Sequence, residues 1–102
     1  MKILEKTTMK DGTPIQLEYW NNHYTIGVYP IAERNSKYWI HAGQRFRLTI
    51  SENKYRSYTA ENVKADYLAL KEDKKTLADL RKYFWNGEDD AHILGLDSGK
   101  EQ

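Results

Sequence analysis

Ile15-Gln16-Leu17-Glu18-Tyr19-Trp20 is followed by Asn21-Asn22-His23 and then by Tyr24-Thr25-Ile26-Gly27-Val28-Tyr29. Apolar residues recur at every second position in both runs, which is the pattern of half-buried β-strands. Ile15, Leu17 and Tyr19 fall on one face of the first run, and Gln16, Glu18 and Trp20 on the other. In the second run Tyr24, Ile26 and Val28 share a face, opposed by Thr25, Gly27 and Tyr29. The intervening asparagines tolerate left-handed backbone, so the two runs read as a hairpin.

Working outward, Ile3 to Met9 reads as an earlier strand joined through Lys10-Asp11-Gly12-Thr13, where Asp-Gly supplies the positive φ of a tight turn. Pro30 cannot donate to a ladder and should end the strand before it. Residues 31–37 read as a polar loop, Tyr38-Trp39-Ile40 as a short strand or its start, and Ala42-Gly43-Gln44 as a turn or bulge. Arg45 to Ile50 is the plainest strand, with Phe46, Leu48 and Ile50 inward and Arg45, Arg47 and Thr49 outward. Ser51 to Ser57 has no apolar period and reads as a connection.

The period then becomes helical. Thr59 is a good N-cap, Glu61 suits the positive end of a helix, and Val63, Tyr67 and Leu70 form one stripe. Thr76-Leu77-Ala78-Asp79 resembles a second cap, and Leu77, Leu80, Tyr83 and Phe84 form a second stripe before Asn86-Gly87. The spacing therefore predicts helices near 60–71 and 76–86, or one fused helix through the charged run Lys71 to Lys75. Residues 88–96 are acidic and then apolar, readable as a strand, a short helix or a docking peptide. Residues 97–102 read as a frayed tail. Strands first and helices last give an α+β fold: an antiparallel four- to five-stranded β-meander with one face covered by two C-terminal helices. The expected core sets Ile15, Leu17, Ile26, Val28, Phe46, Leu48 and Ile50 against Val63, Leu70, Leu77 and Phe84.

A chain of 102 residues suffices for one domain, read as 1–96, and no second. It has no cysteine, which excludes a disulfide scaffold and a thiolate zinc site and fits a reducing, cytoplasmic setting. No apolar run reaches the roughly 18 residues of a membrane span, and the charged start, Lys2 to Lys6, does not suit a signal peptide. Sixteen basic against fifteen acidic residues give +1, so no long-range pull toward nucleic acid or acidic lipid is expected. The charge is uneven all the same. Residues 1–58 carry nine Lys/Arg against five Asp/Glu, and residues 59–102 carry seven against ten.

Chemistry is sparse. No serine lies in a Gly-x-Ser-x-Gly elbow, and neither a phosphate-binding Gly-x-x-x-x-Gly-Lys loop nor a Gly-x-Gly-x-x-Gly turn occurs. Asp89, Asp90 and His92 read as a solvated linker rather than metal ligands, so no cofactor and no metal is implied. Tyr38, His41, Arg45 and Arg47 are close enough in sequence to suggest a toxin-type ribonuclease working by general acid–base catalysis. Against that, Arg45 and Arg47 are equally the solvated face of a strand.

If the aliphatic face meets the helices, the other face carries Gln16, Glu18, Trp20, Thr25, Tyr29, Arg45, Arg47 and Thr49. Aromatics and arginine dominate protein-interface hot spots and also stack on bases and hold phosphates. Trp39 and the segment Tyr55-Arg56-Ser57-Tyr58 add to that set. Trp20, Tyr29, Arg45, Arg47, Trp39, Tyr55 and Arg56 are therefore the candidate binding residues. The partner class is a protein or ribonucleoprotein, with RNA or single-stranded DNA as the alternative.

A cysteine-free chain of this size, rich in Tyr and Lys, with the Lys10-Asp11-Gly12-Thr13 hairpin and the helical segment Leu70-Lys71-Glu72-Asp73-Lys74-Lys75-Thr76-Leu77-Ala78-Asp79-Leu80, resembles small accessory proteins of Gram-positive phages and plasmids. That group includes anti-CRISPR proteins, which inhibit RNA-guided nucleases. The likeness is one of size, composition and style along the whole chain and carries over no functional residue. It implies a non-enzymatic interaction protein. The near-neutral charge departs from acidic DNA-mimicking inhibitors and favours contact with guide RNA or a protein surface.

Overall fold

The computed structural model describes residues 1–29 and 47–85. Four strands, β1 (Lys2–Thr8), β2 (Pro14–Trp20), β3 (His23–Val28) and β4 (Leu48–Ser51), form one antiparallel sheet in the order β1-β2-β3-β4. The helix α1 (Ala60–Lys71) follows, so the fold is α+β with a four-stranded meander. The segment 38–40, the residues Arg45 and Phe46, the stretch 88–96 and the tail lie outside the described residues.

Both hairpins form where the turn residues allow them. Gly12 takes φ 93°, with Met9 N–H on the Thr13 carbonyl at 2.8 Å and Thr13 N–H on the Asp11 carboxylate at 2.9 Å. Asn21 and Asn22 take φ 53° and 68°, the double left-handed geometry that matches strand twist in a two-residue hairpin. In β1 the register shifts between Ile3 and Glu5. Ile3 then opposes Glu18 while Glu5 opposes Leu17, so the bulge turns Glu5 toward the helix. There it accepts from the Tyr67 hydroxyl (3.2 Å) and the Lys71 ammonium (2.8 Å).

The pairings Ile15↔Val28, Leu17↔Ile26 and Tyr19↔Tyr24 put the aliphatic residues on one face, continued by Ile50 and Leu48 on β4. Val63, Tyr67 and Leu70 of α1 cover it. Ile15, Ile26, Val28, Leu48, Ile50, Val63, Leu70, Leu80 and Phe84 are buried as the period requires, with Leu17 and Leu77 packed at its margin. Thr59 caps α1 reciprocally with Asn62: Asn62 N–H donates to the Thr59 hydroxyl and Thr59 N–H to the Asn62 amide oxygen.

Three elements differ from the sequence expectation. The helix expected over 76–86 is a 3-10 helix, Ala78–Tyr83. Thr76 and Asp79 do exchange cap hydrogen bonds (2.8 and 3.3 Å), but Phe84 turns extended to bridge Ile50, and Trp85 N–H reaches the Thr49 carbonyl at 2.9 Å. Pairing with the edge of β4 ends the helix after two turns. The connection 51–57 contains another 3-10 helix, Lys54–Arg56, closed by Ser57 at φ 55°. β4 itself starts at Leu48 and runs to Ser51, one residue beyond the expected end.

A buried polar cluster ties the 3-10 helix to α1. The Tyr58 hydroxyl donates to Asp66 at 2.7 Å, Lys75 meets the same carboxylate at 2.7 Å, and the Tyr58 and Tyr83 rings stack 3.7 Å apart. Burial, with the adjoining Asp66 carboxylate, pushes the Tyr58 phenol well above its ordinary range.

Candidate functional site: the groove on the second sheet face

The second face follows from the same register. Reading across the strands, Trp20 stands beside His23, Glu18 beside Thr25 and Ser51, and Gln16 beside Gly27 and Thr49. One step further, Tyr29 and Arg47 lie across from each other. Trp85 joins the row of Thr49 through its backbone bond. Met1, Trp20, His23, Thr25, Tyr29, Arg47, Thr49, Ser51 and Trp85 line an open groove of about 660 Å³ on this face. From His23 to Tyr29 it follows seven residues of extended chain, about 20 Å over six steps of ~3.3 Å.

The floor is an ion pair laid flat on the sheet. Glu18 is fully buried. Its carboxylate takes both Nη1 (2.7 Å) and Nη2 of Arg47, the Thr25 hydroxyl at 2.8 Å and the Gln16 amide. Arg47 also donates from Nη1 to the Tyr29 hydroxyl (2.8 Å) and from Nε to the Thr49 hydroxyl (3.2 Å), with its guanidinium 5.6 Å from the centre of the Tyr29 ring. Burial drives the Glu18 carboxyl upward, but the hydrogen bonds from Arg47, Gln16 and Thr25 outweigh it and hold the group below its ordinary range. Arg47 is held above its own ordinary value chiefly by the Glu18 hydrogen bonds. Both groups stay charged, and the pair is neutral as a unit.

Gly27 makes this geometry possible. A Cβ on Gly27 would sit 2.5 Å from Glu18 Oε2 and 2.7 Å from Arg47 Nη1, so the diagonal bridge from β2 to β4 passes through the space a side chain would take. A glycine inside a strand is a signal of close approach by another group, and here the group is this ion pair.

Of the sequence-derived candidates, Trp20, Tyr29 and Arg47 line the groove together. Trp20 is 49% exposed and its indole lies 5.9 Å from the His23 ring. Tyr55 is exposed on the 3-10 helix 54–56 with Arg56 beside it, and neither lines the groove. Trp39, Arg45 and, of the ribonuclease set, Tyr38 and His41 lie outside the described residues. Arg47, outward on its strand as parity requires, is bonded to Tyr29 and paired with Glu18, which is buried, because a buried carboxylate needs a partner. Sequence reasoning missed Trp85 and His23 as lining residues. His23 could have been found from parity with Thr25. Trp85 could not, because its place depends on Phe84 pairing with Ile50.

Among the described residues no cluster of His, Asp or Glu is arranged to hold a metal ion, and no helix is long and apolar enough to cross a membrane. Comparison with family models, curated proteins and solved structures finds no match, so the groove is read from its own geometry.

Proposed function

We propose that this chain is a non-enzymatic interaction protein that docks a larger protein, or the protein part of a ribonucleoprotein, through the groove. The observation that carries this reading is the pairing of exposed aromatic side chains with a neutralised floor. Trp20 and Trp85 are 49% and 70% exposed beside Tyr29, while the groove's arginine is spent on Glu18. Exposed indoles next to a charge-balanced, hydrogen-bonded base are the make-up of an interface core, where unpaired charge is depleted and Trp, Tyr and Arg are enriched. An RNA or single-stranded DNA binder needs uncompensated cations along the strand path, and Arg47 does not supply one. The resemblance in size and composition to anti-CRISPR proteins is the support for an RNA-guided nuclease as the partner, and inhibition as the outcome.

Affinity purification from the native host, with and without nuclease treatment, tests the reading. A discrete partner retained after nuclease and lost on Trp20→Ala, with the melting curve unchanged, supports protein docking. Loss of the partner on nuclease treatment, or retention by the Trp20→Ala variant, overturns it.

A further inference from the structure

The two margins of the sheet are treated differently. Beyond β4, Phe84 bridges Ile50 and Trp85 N–H bonds to the Thr49 carbonyl, so that margin is covered. Beyond β1, among the described residues, no strand or bridge pairs with the outer side. An open strand edge is a template for pairing with another chain, most simply β1 of a second copy. Ile3 and Leu4 stand on this strand, each 41% exposed, and would add apolar surface to such a pairing.

The bulge in β1 bears on that hazard. Ile3 opposes Glu18 and Glu5 opposes Leu17, so Leu4 is the residue without a partner on β2. It takes no part in the core. Ile3 and Glu5 already stand at successive positions along β2, so removing Leu4 moves no side chain to the other face. Lys2, Glu5 and Thr7 stay on the side of α1, and Glu5 still meets Tyr67 and Lys71. The interior of the fold gives no reason for Leu4.

Pairing at the edge does give one. Two copies of β1 related by a two-fold axis run antiparallel, and the residue at the axis opposes itself. Without Leu4, centring on Ile3 sets Ile3 against Ile3 and, on either side, Lys2 against Glu5. That is an apolar pair flanked by two opposite-charge pairs. With Leu4 in place, centring on Ile3 sets Lys2 against Leu4. Centring on Leu4 sets Lys2 against Lys6 and Ile3 against Glu5, and centring on Glu5 opposes two carboxylates. The bulge also bends the strand and increases its twist, which turns the edge away from a flat partner.

We infer that Leu4 guards the open edge: a single inserted residue holds β1 out of pairing with β1 of a second copy. Sedimentation velocity of the full chain, with and without Leu4, tests this, and near-UV circular dichroism reports the fold of each. The expected result is a folded deletion variant that dimerises at concentrations where the wild-type chain does not. Adding Lys2→Glu to the deletion opposes carboxylates where the two ion pairs would form, and should weaken the dimer on the order of tenfold. Equal sedimentation of the deletion variant and the wild type, or a dimer indifferent to Lys2→Glu, would overturn the inference. So would a deletion variant that fails to fold, because Leu4 would then serve the interior and not the edge.

Discussion

Arg47 reaches from the start of β4 across Gly27 to grip both oxygens of Glu18 on β2, so the sheet's second face has a charged but balanced floor. Removing one partner leaves a desolvated charge, whereas removing both leaves none. Glu18→Leu and Arg47→Met should each lower unfolding free energy by about 3 kcal/mol, and Glu18→Leu/Arg47→Met should recover most of that loss. Urea denaturation of the four proteins measures the coupling. Additive losses would mean that the two groups do not act as a pair.

Gly27→Ala introduces a methyl into the path of that bridge. In the wild-type background the cost should be about 1–3 kcal/mol, the range for overpacking. In Glu18→Leu/Arg47→Met the same substitution should be near neutral or stabilising, because alanine is favoured over glycine within a strand by roughly 0.5–1 kcal/mol. Equal costs in both backgrounds, read from denaturation midpoints, would place the constraint in the backbone rather than in the ion pair.

Acid should weaken the fold through Glu18. Its folded carboxyl ionises below the ordinary value of 4.5, so the folded state binds the proton less tightly than the unfolded chain. The contribution is therefore whole above about pH 4.5 and is lost as pH falls through the lower, folded value. Stability measured from pH 7 to 2 should fall in that window, and more shallowly in Glu18→Gln. A parallel fall in both proteins would assign the acid sensitivity to other carboxylates.

The two faces should respond oppositely to truncation. Leu48 is fully buried in the apolar core, and Leu48→Ala should cost about 2–5 kcal/mol. Trp20 is half exposed, and Trp20→Ala should move stability by no more than about 0.5 kcal/mol, as for a surface site. Thermal melts of the two variants decide between this assignment and its inverse.

What was readable in the sequence follows from how local each cause is. The parity of 15–20 and 24–28, the two turns, the Thr59 cap and the stripe Val63-Tyr67-Leu70 depend on residues within a few positions of one another. The face carrying Trp20, Tyr29 and Arg47 follows from the same parity. That Glu18 and Arg47 are a pair does not, because 29 residues separate them and only the register of β2, β3 and β4 brings them together. The helical period at Leu77-Leu80-Phe84 is present, yet edge pairing of Phe84 and Trp85 with β4 overrides it. Tyr58 gave no periodic signal, although its stack on Tyr83 and its bond to Asp66 bury it.

Site-specific photocrosslinking in the native host tests most directly the claim that the groove is the docking surface. A photoreactive amino acid is placed at Trp20, at Trp85 and, as a control, at Leu68, which is exposed on the helix covering the opposite face. The account predicts one discrete protein joined to positions 20 and 85 and absent from position 68. Equal labelling from position 68, or adducts at 20 and 85 that disappear with nuclease, would contradict it.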